Sequence, residues 1–414
     1  MDLAGTIAVR HLLTRRRQSL LTILGVALGA MIMVTTLSLT DGLITDIEDT
    51  IIEASPHMVV KAEEVAGKPE RLVQGDVVSL LRRGKRAKAD RLKGEEGLRR
   101  LVAAEPGVVA VAPFVEVRGI LRRGNRFRPI VASGVVPADE ARVTRVAGQM
   151  QAGRFEALSE RREGIVLGRL LAKALGVVTG DRIRMTDAEG RVWPFRVVGV
   201  FKSGIKNIDE AQAYVGIDVA RDLKGWGPGT ASGLAARVES PRKVAEVASA
   251  VVARTGHVVD TWEERNRTII ASFRRNNMTT LILVVFTFIV SGFGITNVLN
   301  TVVLEKVKDI AVLKGMGMSA RAVTRVFLIE GLALGVVGAV AGALLGYGLS
   351  TLIGALPFSY GDAAFVQTDR ILMTQHPWFY SLVMGFSILL SVLASVGPVR
   401  KAARLIPVAV FRGY

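Results

Sequence analysis

The chain has 414 residues, half of them hydrophobic, with 13 prolines, no cysteine and a formal net charge of +17. That apolar share excludes a disordered chain, and the missing cysteine excludes disulfides and thiolate metal sites. The positive charge raises nucleic acid as a partner, but no recognition module or interleaving of aromatic with basic residues accompanies it, so no nucleic-acid partner is expected.

Residues 1–17 form a short segment with Arg10, Arg15, Arg16 and Arg17 near its end. The run 18–40 then lacks Asp, Glu, Lys and Arg for longer than the roughly 20 residues a helix needs to cross a bilayer. It exceeds the core of a signal peptide and shows no A-x-A site before Asp41, so it reads as an uncleaved anchor. Three more uncharged runs follow, at 276–304, 331–361 and 371–399. Pro357 should end the third helix, which places the spans at 18–40, 276–304, 326–356 and 376–399. The expected fold class is an α-helical membrane domain of four transmembrane helices. A large mixed α/β extracytoplasmic domain, residues 41–275, is inserted between the first and second.

Orientation follows from the short loops. The loop 305–325 carries Lys306, Lys308, Lys314, Arg321 and Arg325 against two acids, whereas 357–375 has Arg370 against Asp362 and Asp369. The loop 305–325, the segment 1–17 and the tail 400–414 therefore read as cytoplasmic, and 357–375 as a short extracytoplasmic loop.

Within 41–275 the short apolar runs HMVVKA, GVVAVAPFV, RPIVASGVV and FRVVGVF read as strands, and RIRMTDAEGRVWPFRVVGVF as strand, turn and strand. Gly164 to Asp181 reads as a helix, with Leu167, Leu170, Leu171 and Leu175 at helical spacing and a break at Gly176. Pro241 to Gly256 reads as a second helix, opened by proline and closed by glycine. Lys61 to Arg100 is rich in charge and poor in core residues, and is expected as a mobile loop or a short exposed helix. A solvated charge run and a surface that attracts anionic headgroups both fit it. Trp262 to Arg275 feeds straight into the second span and is expected to form a helical stalk.

Chemistry-bearing motifs are scarce. The chain has no P-loop, no H-E-x-x-H and no G-x-S-x-G, and its four histidines are scattered. No catalytic residue and no metal site is expected, and the chain is not read as an enzyme. Small residues at a spacing of four, Gly25 and Gly29 in the first span and Gly338, Gly342 and Gly346 in the third, are candidates for close helix contact. Met31, Val34 and Leu37, with Leu281, Val285 and Phe288, are candidates for an apolar substrate pocket; ordinary lipid-facing positions are the plainer reading.

The stretch EKVKDIAVLKGMGMS, 305–319, separates two apolar runs. On a helix Val307, Ile310, Ala311 and Lys314 share one face; Gly315 and Gly317 end the helix, and Ser319 can open the next. It fits a solvated hairpin, and equally a short cytoplasmic helix that a partner grips.

Glu305 to Gly317 resembles the pattern E-[RK]-x-[RK]-[DE]-I-[AG]-[VI]-L-[RK]-x-[ML]-G of the FtsX and MacB type permeases. Gly397 to Arg412, GPVRKAARLIPVAVFR, resembles their closing P-x-[RK]-x-A-[AS]-R-x-x-P. The segments SPHMVV, GVVAVAPFV, SGVVPADEARV, GIVLGRLLAKALGVVTGD, VVGVFKSGIKNIDEAQAYV and TWEERN follow the order of the lipoprotein-releasing Lol permease subunits. The chain departs from them at Lys61 to Arg100, and at FKSGIKNIDE. Which of the paired subunit types it represents, or whether one polypeptide serves as both, stays open.

The resemblance implies a multi-pass permease of the inner membrane with both termini cytoplasmic. It has no cofactor of its own, ATP and Mg being used by a separate cytoplasmic LolD-like ATPase. It implies that Glu305, Val307, Lys308, Asp309, Ile310, Leu313, Lys314, Gly315 and Gly317 form an ATPase-coupling helix. Val307, Ile310 and Leu313 would be buried in the ATPase cleft, with Glu305, Lys308, Asp309 and Lys314 at its rim. The further partners it implies are a second permease copy or paralogue, a lipoprotein substrate taken from the outer leaflet, membrane lipid and a LolA-like periplasmic carrier. A MacB-type exporter or an FtsX-like mechanotransmitting permease is the alternative.

Overall fold

The structure, a computed structural model, describes residues 16–64, 72–74, 77–79, 91–305, 307–357, 361–362 and 370–404. Its chain divides into two compact units. Residues 1–46, 271–358 and 370–414 make a helical unit, and residues 47–270 with 359–369 make an α/β unit.

The helical unit is built on four long helices: α1 (Arg16–Ala54), α2 (Arg267–Glu305), α3 (Ala320–Ala355) and α4 (Pro377–Arg404). Among the described residues, three stretches are long and apolar enough to cross a membrane: Ser19–Ala54, Ala320–Ala355 and Pro377–Gly397. The uncharged run 276–304 lies inside α2. At about 1.5 Å per residue, the 39 residues of α1 or α2 extend for about 58 Å, nearly twice a hydrocarbon core of about 30 Å. α1 accordingly does not stop at Thr40. Ile47, Ile51 and Ala54 are buried at helical spacing and carry it on as an amphipathic helix, until Pro56 forbids another turn. α2 likewise starts at Arg267, above the uncharged run, where a stalk is expected. Just before it, Thr261 and Glu264 form a reciprocal capping box that opens the single turn Trp262–Arg265.

The α/β unit holds one ten-stranded sheet. Its strands are β1 (Met58–Glu64), β2 (Val108–Arg123), β3 (Arg126–Val135), β4 (Met150–Gly153), β5 (Gly164–Gly168), β6 (Arg182–Asp187), β7 (Val192–Phe201), β8 (Gln212–Gly216), β9 (Gly233–Val238) and β10 (His257–Thr261). They run in the order β10-β1-β9-β2-β3-β8-β5-β7-β4, and β6 pairs with both β7 and β2. That double pairing closes β2-β3-β8-β5-β7-β6 into a six-stranded ring, with β9, β1 and β10 as a three-stranded extension. The length of β2 makes this possible. Its first part pairs β9 through Val108–Phe114, and Gly119–Arg122 pairs β6. Val115, Val117, Ile130, Ala132, Ile165, Leu167, Ile183, Met185, Val197 and Ala213 belong to one buried cluster contributed by all six ring strands.

One expectation is corrected here. Gly164 to Gly168 is the strand β5, and the helix α5 begins only at Arg169 and ends at Leu175. All five strand residues are buried between the parallel neighbour β7 and the antiparallel neighbour β8. A run apolar on both faces carries no period, so its one leucine, Leu167, continues the helical spacing of α5 by coincidence. The expected stop is in place: Gly176 is left-handed at φ 68°, and Val177 N–H donates to Ala172 O. Of the segment Lys61 to Arg100, half lies outside the described residues. Glu95–Ala103 is a helix that buries Leu98 and Val102.

Candidate functional site

The coupling segment folds as the short helix α6 (Val307–Gly315), directly after α2. Gly317 N–H donates to Lys314 O, and Gly317 turns at φ 98°, a conformation that favours glycine. Ser319 then caps α3: its hydroxyl accepts the Ala322 N–H at 3.2 Å. The helix, glycine turn and cap thus occupy the positions their residue types suggest.

The faces of α6 are less expected. Ile310 and Ala311 are 3% and 0% exposed, so Ile310 is already covered by this chain. Val307 and Lys314 are half-buried beside them. Val312 and Met316, with Gly315 and Gly317, are the open positions. Ile310 is therefore not a free knob for a partner. The shared face noted in the sequence is turned inward, as the apolar side of a surface helix should be. The side chains of Glu305, Lys308, Asp309 and Leu313 lie outside the described residues.

The glycine pattern divides in the same way. Along α3, a methyl group on Gly338 would meet Val26 Cβ at 2.6 Å; on Gly342, Ala27 O at 2.5 Å and Ala30 Cβ at 2.6 Å; on Gly346, Val34 Cβ at 2.8 Å. These three glycines let α3 lie against α1 at backbone distance. Gly29 is buried, but Gly25 is exposed and a side chain there would meet nothing within 4 Å. Gly25 is thus removed from the packing set, because the contacting face of α1 is Val26, Ala27, Ala30 and Val34.

Sequence reasoning missed the other half of this seam. A Cβ on Gly331 or Gly335 would collide with Ser395 or Ser391 of α4, and Ser391 Oγ donates to Gly331 O at 2.7 Å. The signal was present as Ser387, Ser391 and Ser395 at a spacing of four. All three are buried.

The substrate-pocket candidates separate. Val34 is fully buried in a cluster with Ala30, Met33 and Val383, against which Leu37 packs, so Val34 is committed to helix packing and cannot line an open pocket. Met31 is half-buried. Leu281 and Val285 are exposed at 52% and 45%, on a stripe with Met278, Ile282, Phe286 and Ile289. The Phe288 side chain lies outside the described residues.

In the α/β unit a groove of about 730 Å³ follows the outer wall of the ring, lined by Phe114, Glu116, Ser133, Glu140, Tyr214 and Arg265 among others. Gln212 Nε2 donates to Ser133 Oγ at 2.7 Å beside it. Burial pushes the Glu140 carboxyl up to about 7, and its one described partner, the Thr144 hydroxyl at 3.1 Å, opposes that only in part. Tyr214 is wedged edge-on between Phe155 and Phe201, and burial raises its phenol.

Two family models match this architecture: the MacB-like periplasmic core domain over residues 19–254 and the FtsX-like permease C-terminal domain over residues 281–407. The chain belongs to the MacB/FtsX family of ABC transporter permeases. Among relatives of this permease, the lipoprotein-releasing system transmembrane protein LolC of Xylella fastidiosa (strain Temecula1) is 25% identical, covering 99% of this chain and 98% of that one. LolE of Haemophilus influenzae is 21% identical over 94% of this chain and 93% of its own. The macrolide export ATP-binding/permease protein MacB of Bordetella avium is 27% identical over 74% of this chain and 47% of its own. The permease thus has a MacB-like α/β periplasmic domain and several apolar helices, as expected from its sequence.

Proposed function

We propose that this permease is the membrane subunit of a transporter that lifts lipoproteins out of the outer leaflet of the inner membrane and passes them to a periplasmic carrier. A separate cytoplasmic ATPase, using ATP and Mg, drives it. Four helices cross the membrane in this reading, with both termini cytoplasmic, and the permease pairs with a second copy or a sister subunit. The observation that carries the reading is end-to-end similarity to LolC, with 99% of this chain and 98% of that one aligned.

The physics is consistent with it. Each buried methylene of an acyl chain contributes about 0.8 kcal/mol, so a multiply acylated protein does not leave the bilayer unaided. The energy enters through α6 and the turn after it, where the open positions Val312 and Met316 offer the apolar contact to the ATPase, while buried Ile310 ties α6 to the permease itself. The MacB relative favours one other reading, export of a different cargo by the same machinery. Purifying the tagged permease in detergent and identifying bound proteins and acyl groups by mass spectrometry separates the two. Recovery of an ATPase with acylated proteins is expected; an ATPase without them would transfer the assignment to an exporter.

A further inference from the structure

The groove on the outer wall of the ring lies wholly within the α/β unit and has a patterned floor. Glu116 of β2 stands beside Ser133 of β3, and Ser133 beside Tyr214 of β8. Two residues along the strands, Arg118 stands beside Val131 and Val131 beside Gln212; two residues the other way, Phe114 stands beside Val135. The residues between them, Val115, Val117, Ala132 and Ala213, are buried in the core of the ring. The floor is thus a grid, about 4.8 Å from strand to strand and about 6.7 Å between successive outward positions of one strand, with polar and apolar side chains alternating.

One wall carries Arg265, the last residue of the single turn Trp262–Arg265. The capping box between Thr261 and Glu264 sets this turn, and Trp262 Nε1 donates to Pro241 O at 3.2 Å. Arg265 lines the groove and is exposed within it, and it has no hydrogen bond or ion pair to a described residue. The surrounding walls desolvate the guanidinium, which is the largest influence on it, while Asp260 and Glu116 act on it through space. Five N–H donors in a fixed plane are therefore held ready and unused. On the floor, Gln212 spends its amide N–H groups on Ser133 Oγ and Ala213 O, leaving its own oxygen to accept.

Charge and shape together select the ligand. The four cations of the lining, Lys61, Arg118, Lys224 and Arg265, are matched by four carboxylates, with Glu140 keeping its proton up to about 7. Lys61 is paired with Asp260, and Arg118 with Glu116 at 3.3 Å. A phosphate or carboxylate brought to Arg265 would also face Asp260 and Glu116, so a neutral group with oxygen acceptors suits it better. A sugar is neutral too, but the rings beside the floor offer no flat platform: Tyr214 is wedged edge-on between Phe155 and Phe201. An extended polypeptide matches on each count. Its carbonyls are neutral acceptors, its N–H groups are donors for Gln212, and its side chains repeat at the same 6.7 Å or so as the floor. The volume of about 730 Å³ holds a short segment and no folded domain.

We propose that this groove binds a short extended segment of polypeptide whose backbone carbonyls accept from Arg265, and that in the working transporter the segment belongs to the cargo. The cargo part rests on the lipoprotein-release reading above; the binding of a peptide does not. The chain has no cysteine, so Val131→Cys gives a single attachment point on the floor for a benzophenone maleimide. Val178→Cys, 67% exposed and outside the groove, is the control. In the complete complex purified with its cargo, irradiation should couple acylated protein at position 131 at least about tenfold more than at 178. Arg265→Ala should remove about tenfold of that yield, the scale of hydrogen bonds from a charged donor. Because Arg265 holds no other residue in place, this variant should melt like the native protein. Equal yields at 131 and 178, or a yield that Arg265→Ala leaves unchanged, overturn the cargo assignment.

A second measurement needs no cargo. A random twelve-residue peptide library displayed on phage is panned on the complete complex in detergent, and the binders are then tested on the Arg265→Ala complex. Peptides of no net charge that the native complex retains at least about tenfold better are expected. Binders held alike by both complexes, or Arg265-dependent binders enriched only in acidic residues, overturn the groove as a site for peptide backbone. Should the native complex carry no acylated protein, the lipoprotein reading falls, and the library alone decides the groove.

Discussion

Glu140→Gln should stabilise this permease at alkaline pH and leave it unchanged at acid pH. Glu140 is 5% exposed in the short helix Pro137–Val143, with the Thr144 hydroxyl donating to Oε1. In the folded chain its carboxyl keeps the proton up to about 7, whereas the ordinary value is 4.5. Between those values the folded state binds more protons than the unfolded one, so stability falls as pH rises from about 4.5 and levels off above about 7. A raised carboxyl thus acts in the opposite sense to a salt-bridged one. A difference of about 2.5 units is worth about 3 kcal/mol as an upper bound. Gln keeps the shape and an acceptor for Thr144 and has no charge to desolvate. For a domain of about 200 residues, at about 2–4 °C per kcal/mol, the variant should melt up to about 6–12 °C higher at pH 8 and alike at pH 4.5. Tryptophan fluorescence of the full-length protein in detergent reads mainly this unit, because three of the four tryptophans, Trp193, Trp226 and Trp262, lie in it and only Trp378 lies in the helical unit. Parallel melting curves for native and variant protein from pH 4.5 to 8 would refute the reasoning.

Three further outcomes are expected. Val312→Asp or Met316→Asp should cut ATPase retention in a pull-down while the permease still folds; Ile310→Asp should instead lower folded yield, since it buries a charge at a site 3% exposed. Gly342→Leu should destabilise the helical unit by about 1–3 kcal/mol through collision with Ala27 and Ala30, and Gly25→Leu should be neutral, as read from thermal melts in one detergent. A reporter inserted at the exposed turn around Gly190 should register the periplasm, and cytoplasmic activity there would reverse the proposed topology.

Much of this fold is legible in the sequence because local signals and tertiary structure agree. The strands from GVVAVAPFV, RPIVASGVV and FRVVGVF alternate or cluster apolar residues between turn residues, and the helix Val244–Thr255 ends at a left-handed glycine. What escapes the sequence is set by partners distant in the chain. Nothing local in the sixteen residues of β2 announces that its last third leaves β9 for β6, yet this closes the ring. The same holds for glycines. Gly25 and Gly338 look alike in sequence, and the rotation of each helix about its axis, fixed by neighbours, gives one a contact and leaves the other open. Ile310 was legible as part of an apolar face, but periodicity identifies a face without saying whether this chain or another covers it.

The seam of small residues bears on how work done at α6 is distributed. α3 starts at Ala320, next to the coupling turn, and its glycines run along one side: Gly331 and Gly335 on α4, then Gly338, Gly342 and Gly346 on α1. α4 also receives α2, where Thr296 Oγ1 reaches Ala394 O at 3.3 Å. Contacts between flexible side chains could absorb a displacement through rotamer changes. Contacts of a glycine backbone with a neighbour's Cβ or backbone have little such slack, and close-packed interfaces pass strain on rather than dissipate it. A force on Val312 and Met316 should therefore move α3 together with α1 and α4, not bend one helix.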